Sequence, residues 1–309
     1  CDMCEMVPVE FWNWVIPQVR SHNPDIIFIG EIYNTNLYHS YIFNGYFNYL
    51  YDKSGLYDTL RNIMEQKGSA KEITNCWQSL FGIDRHMLRF LENHDEQRLA
   101  SPHFLGDPLK AIPAMVVSTT MSAGPIMIYF GQEVGEAALG AQGFSGDDGR
   151  TSIFDYCSVP AHQKWMSGGV FDGSSLDSNQ RLLRKTYEKL LNMATKYPAI
   201  SHGAFYDLHY LNETNPLYDS DRVYAFFRHT DSQKILVIVN FSDSTHYDAR
   251  IKLSDHVFKT VGFAQGLPLR GRDIFVNGQT FQTSSNESLK EGISIHLGPL
   301  ESLIFDVSQ

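Results

Sequence analysis

Residues 25–31 read Asp-Ile-Ile-Phe-Ile-Gly-Glu, an apolar run that ends on a carboxylate. A strand with one wet face alternates apolar and polar residues, so an unbroken run predicts a strand buried on both faces, as in a parallel sheet. Parallel neighbours cannot be joined by a tight turn. The chain between them must cross over, usually as a helix. The sequence supplies such crossovers. Leu56, Leu60, Ile63 and Met64 recur at helical spacing as far as Gly68. Ile73, Cys76, Trp77 and Leu80 mark a second helix, and Ser69 followed by Glu72 has the form of a capping box at its start. Residues 108–121 predict a helix with a proline near its beginning. Residues 177–197 predict a long one with Leu182, Leu183, Tyr187, Leu190 and Leu191 on its apolar side. Residues 87–91 and 125–130 predict further strands, the second of them buried. Strands alternating with helices imply βαβ units on a parallel sheet.

The pattern changes near residue 204. The runs 223–227 and 234–239 are β-rich, with Thr230-Asp-Ser-Gln233 between them as a hairpin turn, and further short runs follow at 247–253, 293–297 and 302–307. No long helical pattern intervenes, so this part predicts a small all-β sandwich. The expected division is residues 1–203 and 204–309.

Composition narrows the function. The formal net charge of −10 argues against a nucleic-acid groove, which needs clustered Lys and Arg, and fits a neutral substrate. The longest apolar stretch, 111–130, contains two prolines, a glycine and several hydroxyl residues, so a core helix, a turn and a strand explain it better than a membrane span. The cysteines are Cys1, Cys4, Cys76 and Cys157. The lone CxxC of Cys1 and Cys4 lacks the second ligand pair of a zinc site, so packing is the preferred reading and no metal is assigned. Neither cysteines nor any leader fixes a compartment.

Three carboxylates fall where strands of the first region should end: Asp2, Glu31 and Asp95. Cleaving a glycosidic bond with retention takes two carboxyl groups about 5–5.5 Å apart, one a nucleophile and the other an acid that stays protonated near neutral pH. A third can grip substrate hydroxyls. Strand-end acids can equally be metal ligands, helix caps or ion-pair partners.

Phe90-Leu-Glu-Asn-His-Asp95, Phe28-Ile-Gly-Glu31, Cys1-Asp2-Met3 and Pro125-Ile-Met-Ile-Tyr-Phe-Gly-Gln-Glu133-Val-Gly135, followed by Asp147-Asp-Gly-Arg150, resemble segments of the α-amylase superfamily of glycoside hydrolases. Their order matches, and so do their intervals, with Asp2 and Glu31 separated by 29 positions and Glu31 and Asp95 by 64. The resemblance implies an α/β fold: the second half of a (β/α)8 TIM-type barrel followed by the β-sandwich. It implies Asp2 as nucleophile, Glu31 as general acid/base and Asp95 as transition-state stabiliser. His94, Arg150 and Tyr33 become substrate-binding candidates, although loop structure competes for Arg150. Core packing competes with sugar stacking for Tyr33, Tyr46 and Phe47, and is the stronger reading for each. Glu133 reads as a loop-holding residue. The implied partner is an α-1,4-linked glucan such as starch, glycogen or a maltooligosaccharide. No cofactor is required by these residues, and calcium is implied only for a longer parent protein.

Two departures matter. Family members often carry Lys-His three and four residues after the nucleophile, where this chain has Glu5 and Met6, so bond and chain-length specificity do not carry over. The family's first three strands and its arginine before the nucleophile would lie upstream of Cys1. The expectation is therefore an incomplete chain, with sheet edges covered by the missing half or by a second copy, and inactive or nearly so by itself. Transglycosylation, another α-glucosidic bond, or a silent glucan-binding role remain open alternatives.

Overall fold

The computed structural model describes residues 1–141, 146–152, 159–276 and 278–309. Cys157 lies outside the described residues. The first region is built on a short parallel sheet. Strand β1 (Ile29–Gly30) pairs with β2 (Tyr49–Tyr51), and β2 with β3 (Met87–Leu88). A parallel bridge between Arg89 and Ile126 brings the 125–130 segment alongside as a fourth member. Helix α1 (Val9–His22) precedes β1, α2 (Tyr38–Phe43) joins β1 to β2, and α3 (Asp58–Met64) with α4 (Lys71–Ser79) joins β2 to β3. Helix α5 (Ile112–Thr120) leads to the fourth member. Helices α6 (Pro160–Met166), α7 (Ser178–Lys196) and α8 (Pro198–Ser201) follow. Each parallel neighbour is thus reached by a helical crossover.

Three local expectations are corrected. The 25–31 run is not buried on both faces: Ile27 is 58% exposed. A strand is buried on both faces where layers pack above and below the sheet, and among the described residues β1 is paired with β2 alone, at the edge of that sheet. On its other side the Cys1 carbonyl accepts from the Glu31 N–H, and the Cys1 ammonium donates to the Ile29 carbonyl. Residues 125–130 are likewise half-buried to exposed, because they form the opposite edge. The Ser69–Glu72 capping box does not form. The Ser69 hydroxyl accepts from Lys71 N–H at 3.2 Å and lies 2.6 Å from the Asp221 carboxylate, to which it donates, fastening the start of α4 to the following region. A true capping box occurs at α7, where Asp177 and Gln180 cap each other's backbone N–H groups. Strand β2 was not anticipated, since three residues, Tyr-Leu-Tyr, give too short a pattern.

The second region is antiparallel. Strands β4 (Ala204–Asp207), β5 (Val223–His229), β6 (Lys234–Asn240), β8 (Leu269–Asp273), β9 (Thr280–Thr283) and β11 (Ser302–Ser308) form one sheet in the order β4-β5-β6-β11-β8-β9, and β7 (Tyr247–Ile251) pairs with β10 (Ile293–Leu297) in a second. Three short helices intervene: α9 (His209–Asn212), α10 (Asp255–Val261) and α11 (Ser285–Lys290). The expected turn closes β5 to β6, with Thr230 N–H donating to the Gln233 carbonyl.

Strand alternation explains why these central strands read as continuous apolar runs. Tyr224, Phe226, Val237, Val239 and Ile304 point to one face and join a core with α5 and α7. Val223, Ala225, Phe227, Leu236, Ile238 and Phe305 point to the other and pack with β7, β10 and α10. Each such side chain contributes about 1.5–3 kcal/mol by leaving water. The two regions therefore share a core. Among the described residues no helix is long and apolar enough to cross a membrane.

Candidate active site

The C-terminal ends of parallel strands bring the candidate residues to one rim. Glu31 follows β1 directly, Tyr51 ends β2, and His94 and Asp95 lie in the loop after β3. Asp2 reaches the same place because Cys1 is hydrogen-bonded beside β1. A hollow of about 490 Å³ is lined by Asp2, Glu31, Tyr51, His94, Ile126 and Met127, among others.

One side-chain atom each from Asp2, Glu31 and His94 lie within 4.8 Å of one another. His94 Nε2 is 3.9 Å from Asp2 Oδ1 and 3.4 Å from Asp95 Oδ2. Glu31 is only 6% exposed, and both its oxygens are held: Oε2 accepts from the Met3 N–H at 2.7 Å and Oε1 from the Tyr33 hydroxyl at 2.6 Å. Burial, then the Glu31 carboxylate, push the Tyr33 phenol well above its ordinary range. Asp2, by contrast, has a side chain 75% exposed. The rim thus offers one sheltered carboxylate and two open ones around an imidazole.

The loop after β3 is rigidly anchored. Asn93 Oδ1 accepts the N–H groups of Asp95 and Glu96, which turns Asp95 toward the rim. Glu92, fully buried, accepts from Arg98 Nη1 at 2.8 Å and from Leu99 N–H at 2.7 Å. Burial pushes its pKa up, and Arg98 works against that shift. Glu96 pairs with Lys53 and Arg61, tying the loop to the β2–α3 connection.

Five of the six sequence candidates, Asp2, Glu31, Tyr33, His94 and Asp95, are thereby linked through contacts. Arg150 is held within its own loop. Its guanidinium grips Asp148 at 2.6 and 2.9 Å, and this bond raises its pKa, with Asp95 and Glu96 adding smaller contributions. Glu133 has no side-chain hydrogen bond among the described residues. The loop is held instead by Glu136, which accepts from the N–H groups of Ala137, Ala138 and Ala161. Phe47 is in the core, whereas Tyr46 is exposed. Glu5, at the departure from the family pattern, accepts from the N–H groups of Tyr33 and Asn34 and so holds the loop that carries Tyr33.

Tyr51 is the residue that sequence reasoning missed. Its phenol pKa is raised by burial and then by the carboxylates of Glu31, Asp2 and Asp95, and its side chain lines the same hollow as Asp2 and Glu31. The alternation of Tyr49, Leu50 and Tyr51 carried a signal of strand, but one too brief to stand out.

The group formed by Asp2, Glu31 and His94 could also hold a cation. Calcium takes six to eight oxygen ligands, which two carboxylates and an imidazole do not match.

Residues 217–308 match the family Alpha amylase, C-terminal all-beta domain. Among solved structures, an alpha-amylase from Geobacillus thermoleovorans complexed with acarbose superposes with a TM-score of 0.67 at 16% identity, covering 100% of this chain and 59% of that one. This is the fold of the alpha-amylases. An alpha-amylase from Anoxybacillus gives a TM-score of 0.66 at 18% identity, covering 98% of this chain and 56% of that one. A maltogenic alpha-amylase from Thermotoga neapolitana gives 0.63 at 20% identity, covering 98% and 59%. No curated protein matches the chain. The resemblance read from the sequence therefore holds for the fold: part of a barrel followed by the alpha-amylase β-domain, spanning less than two thirds of the length of these relatives.

Proposed function

We propose that this chain carries the catalytic carboxylates of a retaining glycoside hydrolase acting on α-1,4-linked glucans. The observation that carries the reading is the convergence of Asp2, Glu31 and His94 within 4.8 Å, with Asp95 beside His94. Oxygens that close fit the roughly 5–5.5 Å carboxyl separation of retaining enzymes and not the roughly 6.5–9.5 Å of inverting ones.

Asp2, open to the hollow, attacks the anomeric carbon as a carboxylate and forms a glycosyl ester. Glu31, sheltered and aimed by Tyr33 and the Met3 N–H, gives its proton to the departing glycosidic oxygen. It then takes a proton from the water that cleaves the ester. Asp95 and His94 grip hydroxyls of the distorted sugar, and Tyr51 and Tyr33 offer ring faces. The Geobacillus relative complexed with acarbose supports a glucan-like ligand.

The test uses the intact protein. Maltooligosaccharide hydrolysis followed by NMR should release product with the α-anomeric configuration retained. Glu31→Gln should lower kcat by about 10²–10⁴-fold, as expected when a general acid is lost. Inversion of configuration, or unchanged turnover in Glu31→Gln, would refute the assignment.

A further inference from the structure

The loop that leaves β1 is held on every side at Tyr33. A single oxygen of half-buried Glu5, Oε2, accepts from the Tyr33 N–H at 2.8 Å and from the Asn34 N–H at 3.0 Å. The Ser54 hydroxyl donates to the Tyr33 carbonyl at 2.7 Å. Lys53 Nζ lies 5.9 Å from the centre of the Tyr33 ring and is itself fixed by Asp58 and Glu96, at 2.8 and 3.2 Å. With backbone and ring pinned, the phenol donates to Glu31 Oε1 at 2.6 Å.

Glu5 is anchored in turn. It sits in the short turn Cys4–Met6, where the carbonyls of Glu5 and Val7 accept from the hydroxyl of buried Tyr41, at 3.3 and 2.8 Å. The Cys4 thiol donates to the Glu31 carbonyl at 3.3 Å, and Met3, just before the turn, gives its N–H to Glu31 Oε2. Both donors on the Glu31 carboxyl group therefore trace back to one stretch of chain. Met3 acts directly, and Glu5 acts through Tyr33. The lysine that the family often carries at the Glu5 position has donors only and could not accept these two N–H groups.

We propose that Glu5 is a positioning residue for the acid step: it holds the Tyr33 backbone so that the phenol hydroxyl stays on Glu31 Oε1. This rests on the reading of Glu31 as the general acid. In that step the glycosidic C–O bond breaks as the ester bond to Asp2 forms. The Glu31 proton goes to the departing oxygen, and the negative charge passes from Asp2 to Glu31. A hydrogen bond to a carboxylate is stronger than one to a neutral carboxyl group, so the Tyr33 hydroxyl favours the transition state over the ground state. That gain needs the hydroxyl in place beforehand, which is what Glu5 and Ser54 secure.

The test measures kcat/KM of the intact protein on a series of aryl α-maltosides whose phenols differ in acidity. A weakly acidic phenol leaves only with a proton from Glu31, whereas a strongly acidic one leaves almost unaided. Glu5→Ala and Tyr33→Phe should each lower kcat/KM about tenfold on the poorest leaving group and by less than about twofold on the best. Combined, they should cost little more than either alone, because they act through one contact. Glu5→Gln, whose amide oxygen still accepts from both N–H groups, should stay within about twofold of the parent protein on every substrate. Equal losses on all substrates in Glu5→Ala would make the residue merely structural, and unchanged turnover would remove it from the chain of contacts; either result overturns the proposal. Failure of the underlying reading shows differently: Glu31→Gln would then leave turnover unchanged with every leaving group.

Discussion

The two regions use the same kind of strand in opposite ways. In β5, β6 and β11 the apolar runs are covered on both faces, one by α5 and α7 and the other by β7, β10 and α10. In the barrel region an equally apolar run, 25–31, lies at a sheet edge with Ile27 largely exposed. Apolar character alone therefore does not bury a strand; neighbours do. The comparison also divides the labour. The β-domain supplies strands covered on both faces, whereas the first region leaves Asp2 and Asp95 accessible at its rim.

The sharpest way to test that division is at the rim. Asp2→Asn should abolish measurable turnover in the intact protein, a loss of at least about 10³-fold, while Tm shifts by no more than a degree or two. A large drop in Tm would show that Asp2 is structural and would erase the contrast. In the β-domain the expectation is reversed. Phe226→Ala should cost about 3–5 kcal/mol in urea unfolding by opening a cavity in the shared core. Ile27→Ala should cost under about 0.5 kcal/mol, because its side chain is already in water. Equal costs at the two positions would break the comparison.

Glu92→Gln should be nearly as damaging as Phe226→Ala, at about 3 kcal/mol, because it leaves buried Arg98 without its counter-charge. Turnover should fall with it, since the loop carrying His94 and Asp95 loosens.

Alkaline pH should loosen both regions together. Burial pushes the thiols of Cys4 and Cys76 from 9.0 up to about 11. It also holds the phenols of Tyr187, Tyr218 and Tyr224 above their ordinary value of 10.0. Folded values above unfolded ones mean that this stability is complete below about pH 9 and is lost as pH rises through the folded values. Arg228, lowered to about 9, acts in the opposite sense above that pH, but one group does not offset five. Melting curves should be flat up to pH 9 and fall by several degrees by pH 11. A flat profile throughout would refute this.

Among these substitutions, the smallest effect expected on turnover is at Tyr33. Tyr33→Phe removes one hydrogen bond to Glu31 and should lower kcat/KM about tenfold with Tm unchanged. No change would mean that the Met3 N–H alone aims the carboxylate.

Much of this was legible in the residues. The alternation of strands and helices in the first region and the β-rich runs of the second came from local pattern, and the fold class came from family-like segments in order. The capping box at Ser69 did not survive, because a side chain from a distant region, Asp221, competes for the same hydroxyl. Loop-holding at Glu133 shifted to Glu136, whose backbone partners converge only when α6 packs against the loop. Tyr51 escaped notice because its strand owes its existence to neighbours on both sides rather than to its own three residues.

The sequence by itself determined which segments repeat every two residues and which every three or four, and where acids terminate strands, because backbone geometry converts those spacings directly into faces and ends. Only the tertiary structure decided which apolar runs are covered and that Tyr33 and Met3 aim Glu31. Those contacts join residues far apart in the chain, and no local spacing encodes the distance between them.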